Sequence, residues 1–210
     1  MLGLVGRSGD PSRRSVLDAV GRIVAERGVE GIRVRQIAAE ADLSPGAVLY
    51  HFPKNSDLLF AVHEDTVRRY MEGRSEAAAS SPDPVARLSA VMRAGIPPWA
   101  NDHVIRLLYE MHGLARRSQP HAELLSDLWS EEHGLYADII DEGAEAGVFE
   151  PQEATADLAT HLLALEDGLV LHLIGHNTAL DGQLVLDKLA GFAALQLRCP
   201  SLIKTASASL

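Results

Sequence analysis

The stretch that decides the fold is residues 33–59, RVRQIAAEADLSPGAVLYHFPKNSDLL. Its apolar residues recur at helical spacing in two short runs. Val34 to Ala41 places Ile37, Ala38 and Ala41 inward, and Pro45 to about Phe52 follows after a turn at Asp42-Leu43. Ser44 is an N-cap residue, and Pro45 sits in a first-turn position where its missing N–H costs nothing. Pro53 ends the second run. A helix of barely two turns is not stable alone, so its neighbours must clamp it and its role is presentation. Two short helices joined by so tight a turn have helix-turn-helix geometry, in which the second helix enters the major groove and the first braces on the backbone. Ile37, Leu43, Val48, Leu49 and Phe52 are expected in the core.

Working outward, Asp10-Pro11-Ser12 opens a helix near Arg13, with Asp10 or Ser12 as cap, and residues 1–11 read as a flexible tail. Val16, Leu17, Val20, Ile23 and Val24 give that helix one apolar face, and Gly28 stops it. Downstream, Asn55 or Ser56 caps a long helix using Leu58, Leu59, Val62, Val67 and Tyr70, which fades before Ser80-Ser81-Pro82-Asp83-Pro84. Helical signal then continues over about 84–95, 101–118, 121–146, 152–177 and 183–197, with breaks at Pro97-Pro98, Pro120, Gly147 to Pro151 and Thr178 to Gly182. The expected fold is all-α with about nine helices. An N-terminal helix-turn-helix DNA-binding domain, 12–55, precedes a second helical domain, 56–200, and 201–210 reads as a flexible tail.

Composition agrees with packed helices. Of 210 residues, 47% are hydrophobic but only 5% aromatic, so the core must come from Leu, Ala, Val and Ile. One cysteine, Cys199, excludes an internal disulfide framework. No stretch is long and apolar enough for a membrane span, which sets the expectation of a cytoplasmic protein. A net charge of −10 looks wrong for a nucleic-acid binder, but residues 1–60 carry eight basic against seven acidic residues, while 61–210 carry 11 against 22. One end can face DNA and the other repels it.

From Ser12 through Leu59 the sequence closely resembles the DNA-binding module of TetR-type transcriptional repressors. The residues that carry the resemblance are the opening amphipathic helix, Gly28 and Gly31, Val34, Gln36-Ile37-Ala38, Ala41-Asp42-Leu43-Ser44-Pro45-Gly46 and Leu49-Tyr50-His51-Phe52. The family's usual lysine position falls on Asn55 here, and the lysine stands one place earlier at Lys54, whose flexible stem can serve the same phosphate. Ser44, Tyr50 and Lys54 are candidate phosphate contacts, joined by backbone N–H groups near Gly46. Pro45, Ala47 and His51 are candidates to face bases, and Arg33 and Arg35 for backbone or bases, with Arg13 and Arg14 as further phosphate candidates. Tyr50 also reads as a packing tyrosine, and His51 as the holder of a structural hydrogen bond.

The resemblance implies a homodimer on a palindromic operator in double-stranded DNA, released by a small-molecule effector. Leu158, Leu162, Leu165, Leu169 and Leu173, with Leu184, Val185, Leu189 and Phe192 on the next helix, are the expected dimer interface, with an intrachain core as the alternative. Between them, Trp99, His103, Leu107, Glu110, Met111, Trp129, His133, Tyr136, Phe149 and His172 are candidates for an effector cavity. Glu166 has Leu162, Leu163, Leu169 and Val170 as helical neighbours, so its carboxylate must be paired. It receives a cationic ligand, or it pairs with Lys188, an Arg or a His across the dimer. The C-terminal half faintly resembles regulators of choline and betaine genes, which with its acidic surplus favours a cationic or amine-bearing effector.

No phosphate-binding glycine loop and no His-Glu-x-x-His, Ser-x-x-Lys or Gly-x-Ser-x-Gly pattern is present, so neither an enzyme nor a cofactor is expected. His172 and His176, four apart, are too few for a metal site. The alternative function is a helical small-molecule binder or enzyme whose helix-turn-helix is structural or docks a protein.

Overall fold

A computed structural model describes residues 10–97 and 103–207. All regular structure among them is helical: α1 (Pro11–Arg27), α2 (Val34–Glu40), α3 (Pro45–His51), α4 (Asn55–Ala79), α5 (Pro84–Ala94), α6 (His103–Ala115), α7 (Gln119–Glu145), α8 (Thr155–Ile174), α9 (Gly182–Gln196) and α10 (Ser201–Ser207), with a 3-10 turn at Val29–Gly31. No described helix is long and apolar enough to cross a membrane. The residues form two compact units, one from the chain up to Arg68 with Arg106–Leu124, the other from Arg69–Ile105 with the chain from Leu125 on.

In the first unit α1 begins at Pro11, two residues before the expected start, because the Asp10 carboxylate caps it by accepting the Ser12 N–H at 2.9 Å. Gly28 ends it at φ 72, in the left-handed region where a side chain is disfavoured, and returns its N–H to the Val24 carbonyl. Val16, Val20 and Val24 of α1, Ile37 and Ala38 of α2, Val48 and Phe52 around α3, and Leu58 and Val62 of α4 make one apolar core. Leu107 and Met111 of α6 complete it.

In the second unit Asp83 and Asp181 cap α5 and α9 by accepting the N–H groups of Ala86 and Leu184. α9 packs on α5, α8 and α10. Where a loose tail is expected after residue 200, Ser201–Ser207 is helical and Leu202 is fully buried. The tail expected at the other end lies outside the described residues except for Asp10 and Pro11, which belong to the start of α1.

Candidate functional site

The turn between α2 and α3 is tight because Asp42 adopts φ 55 and lets Leu43 return its N–H to the Ala38 carbonyl at 2.8 Å. Ser44 then caps α3, its Oγ accepting the Ala47 N–H at 3.1 Å. That bond uses the oxygen lone pair and leaves the hydroxyl proton free to donate to a phosphate. It also occupies one of the N–H groups that the sequence suggested for phosphate.

α3 is anchored from beneath by Val48, which is 1% exposed. Ser44, Pro45, Gly46, Leu49, Tyr50 and Lys54 are exposed and Ala47 is half-buried. Tyr50 is 66% exposed and so does not pack into a core. Leu49, expected inside, is 46% exposed, because a helix of seven residues turns only Val48 fully inward. It joins Pro45 and Ala47 as an apolar group able to meet a thymine methyl.

The other candidates divide. Arg35 and Lys54 are exposed cations without a partner among the described residues. Arg33 donates from Nη1 to the carbonyls of Glu30 and Ile32 and thereby closes the loop before α2. Arg13 lies over the Phe52 ring, and Arg14 pairs with Asp18 and Asp65. His51 has only 7% of its side chain exposed, and its Nε2 faces the Asp10 carboxylate at 3.8 Å. These four hold the unit together.

The candidate effector residues fall in both units. Leu107 and Met111 belong to the core of the first unit, and Glu110 is exposed at its surface. His103 is half-buried and His172 and His176 are exposed. Phe149 packs against Gly143 at the end of α7. Trp129, 48% exposed, stacks on His133, whose Nε2 meets the Ala156 carbonyl at 2.9 Å. Trp99 lies outside the described residues.

Tyr136 and Glu166 do meet, in a buried cluster with three residues that sequence reasoning missed. The Glu166 partner is Arg74 of α4, in the same chain, and not Lys188 or a group across a dimer: Arg74 Nη1 donates to Oε1 at 2.5 Å and Nη2 to Oε2 at 3.4 Å. Tyr136 donates to Oε2 at 2.5 Å. Tyr70 offers its one proton to Glu132 Oε1 at 2.9 Å and Glu166 Oε1 at 3.3 Å, and accepts from Arg74 Nη1. The Arg74 guanidinium lies over the rings of Tyr70 and Tyr136, and its Nε has no partner among the described residues. Burial drives the Glu132 carboxyl up to about 7, with Glu166 and Asp167 adding repulsion against the opposing pull of Arg74 and of the Tyr70 hydrogen bond. The Tyr136 phenol is held well above its ordinary value, by burial first and then by Glu166. Gly95, just past α5, closes the cluster: a Cβ there would overlap Glu166 Oε1 and Arg74 Nη1. The signal was present as charges interrupting apolar stripes, Arg74 within Val67-Tyr70-Arg74-Ala78 and Glu132 within Leu128-Glu132-Tyr136-Ile139.

On α8 and α9 the expected dimer leucines are rotated inward. Leu158, Leu162, Val185 and Leu189 are at most 1% exposed and fill the chain's own core, while Leu165, Leu169, Leu173, Leu184 and Phe192 are half-buried. The apolar groups left facing solvent are Leu171 at 57% and Leu195 at 72%, near Gly168 and Gly191, where a Cβ would meet nothing within 4 Å. Helices apolar on nearly every side do not reveal from periodicity which stripe turns inward.

A short capped helix with an exposed face, set by a tight turn on α2 and braced by the core of the first unit, has the geometry of a helix-turn-helix. Residues 16–62 match the tetR family of bacterial regulatory proteins, and residues 84–197 match the C-terminal region of BetI-type transcriptional repressors. The chain therefore belongs to the TetR family and is a DNA-binding transcriptional repressor. It is similar to the HTH-type transcriptional repressor KstR2 of Mycobacterium tuberculosis, 22% identical over 66% of this chain and 70% of the relative. It is also similar to the HTH-type transcriptional regulator PksA of Bacillus subtilis, 27% identical over 76% of this chain and 77% of the relative. Among solved structures, a protein of Saccharomonospora viridis described as a transcriptional regulator in complex with choline superposes with a TM-score of 0.80 at 23% identity, covering 86% of this chain and 94% of that one.

Proposed function

We propose that the chain acts in the cytoplasm as a homodimer on a palindromic operator, and that a small cationic or amine-bearing effector releases it. Residues 12–55 would form the DNA-binding domain and 56–200 the effector and dimer domain. Ser44, Tyr50, Arg35 and Lys54 would grip phosphates, and Pro45, Ala47 and Leu49 would meet base edges. Few polar groups are available on α3 to read bases, so specificity must come from pairing two half-sites at a fixed spacing. The solvent-facing leucines Leu171 and Leu195, with the open glycines Gly168 and Gly191 beside them, suit close approach of a second copy.

The observation that carries the effector class is the buried cluster of the second unit, where two carboxylates, Glu132 and Glu166, face one guanidinium, Arg74. An uncompensated buried carboxylate is costly and favours a cation. The choline held by the similar S. viridis protein agrees with that chemistry. An effector that weakens operator binding must itself be weakened by operator to the same factor.

Fluorescence anisotropy of a labelled duplex from the region upstream of the protein's own reading frame tests this. Choline or tetramethylammonium should release the duplex, while sodium at equal ionic strength should not. Release by anionic acyl thioesters with no response to either cation would overturn the effector class.

A further inference from the structure

The two carboxyls of the buried cluster are not equivalent. Both oxygens of Glu166 are engaged, by Arg74 and Tyr70 on one side and by Tyr136 and Arg74 on the other. Glu132 takes the Tyr70 proton on Oε1 and has Arg74 Nη1 3.4 Å away, and its Oε2 has no partner among the described residues. Exposure sets it apart as well. Arg74 and Tyr136 are fully buried and Glu166 is 2% exposed, whereas 11% of the Glu132 side chain is open. Of the two carboxyls, Glu132 is the one more open to an approaching cation.

The charge count then has two neutral solutions. With Glu132 protonated, one guanidinium balances one carboxylate. With Glu132 ionised, the cluster carries one negative charge that a bound cation cancels. A buried net charge is the costly alternative to both.

We propose that Glu132 carries a proton in the effector-free protein and that a cationic effector binds by exchanging for it. The O–H bond of the Glu132 carboxyl breaks, the proton leaves to solvent, and the carboxylate that remains faces the effector's positive charge. This rests on the effector being a cation, as proposed above. The charged and titratable groups that bear on Glu132 are Tyr70 and Arg74 from α4 and Glu166 and Asp167 from α8. Burial and the two α8 carboxylates hold the proton on, and bring its loss to about pH 7. Cation affinity then falls about tenfold for each pH unit below that point and is flat above it.

Isothermal titration of the full-length protein with choline, in two buffers of different ionisation enthalpy, reads the exchange directly. About one proton is expected to leave per choline bound at pH 6 and almost none at pH 8.5, with E132Q binding more weakly and releasing none at either pH. Choline that binds and releases the labelled duplex without expelling a proton at pH 6 overturns the exchange while leaving the cationic effector standing. If neither choline nor tetramethylammonium binds at any pH, both fall together. A ligand-free arm isolates the proton itself. Ionisation of a buried acid held up to about 7 lowers stability as pH rises, so the wild-type melting temperature should drop relative to E132Q between pH 5 and 8. Parallel curves would overturn the protonated resting state.

Discussion

Replacing Gly95 by alanine sets two physical effects against each other, and the structure decides the sign. The backbone at Gly95 has φ −85 and ψ −10, a conformation alanine adopts freely. On backbone grounds alone the substitution stabilises by about 0.4–1 kcal/mol through a less entropic unfolded chain. The space is occupied, however. The new Cβ would overlap Glu166 Oε1 and Arg74 Nη1, two atoms of a pair that is almost fully buried. Arg74 is also hemmed by the rings of Tyr70 and Tyr136, so it has no room to withdraw. Separating a buried pair costs roughly 3–5 kcal/mol, so the net effect is a loss of about 3 kcal/mol. For a chain of this size that lowers the melting temperature by roughly 6–12 °C. Gly73 is the internal control: it sits inside α4, exposed, with nothing within 4 Å of its Cβ position, so Gly73→Ala should stabilise by up to about 1 kcal/mol. Thermal denaturation followed by far-ultraviolet circular dichroism compares the two. A G95A variant melting at or above wild type would refute the packing assigned to the cluster.

Other expectations follow from the two units taken separately. Tyr50→Phe and Lys54→Ala should weaken binding to specific and random duplexes alike, and K54A should reduce the salt slope of log affinity by about one; unchanged affinity and slope in anisotropy titrations would remove their phosphate role. Leu171→Glu combined with Leu195→Glu should give monomers by sedimentation, whereas Leu162→Glu should impair folding itself; a persistent dimer in the first variant would misplace the interface. In the first unit His63 is fully buried, shares an Nδ1···Nδ1 hydrogen bond of 2.8 Å with His121, and is held down to about 4 by burial and then by His121 and His112. Its folded value lies below the ordinary 6.5, so the unfolded chain binds the proton more readily and stability is lost as pH falls from about 6.5 toward 4. That loss reaches up to about 3 kcal/mol, read by urea denaturation, and His63→Leu should flatten it.

The helix-turn-helix was legible in sequence because local chemistry specifies it. Asp10, Gly28, Ser44, Pro45 and Pro53 mark helix ends by capping and backbone restriction, with no need for distant contacts. What failed to show depended on tertiary packing. Leu49 has core spacing, but on so short a helix the inward side holds one residue. Arg74 and Glu132 read as solvated charges until α4, α7 and α8 bring them against Tyr136 and Glu166. Glu166 alone announced a buried carboxylate, and its need for a partner was right while the partner's location was not. The leucines of α8 and α9 were correctly seen as buried broadly, but which stripe faced the chain's own core was not encoded in their period. Among the α10 residues whose burial is described, Leu202 is the one buried anchor, too little for a pattern.

In the proposed function, operator binding depends above all on α3 entering the major groove in two copies held at a fixed distance. Methylation interference on the upstream duplex reads this directly, because methyl groups on guanine N7 lie in the major groove. The expected result is two short patches of interference on one face of the duplex, with centres separated by a whole number of helical turns of about 10–10.5 base pairs. A single patch, interference confined to the minor groove, or none at a concentration where the duplex is fully bound would contradict it.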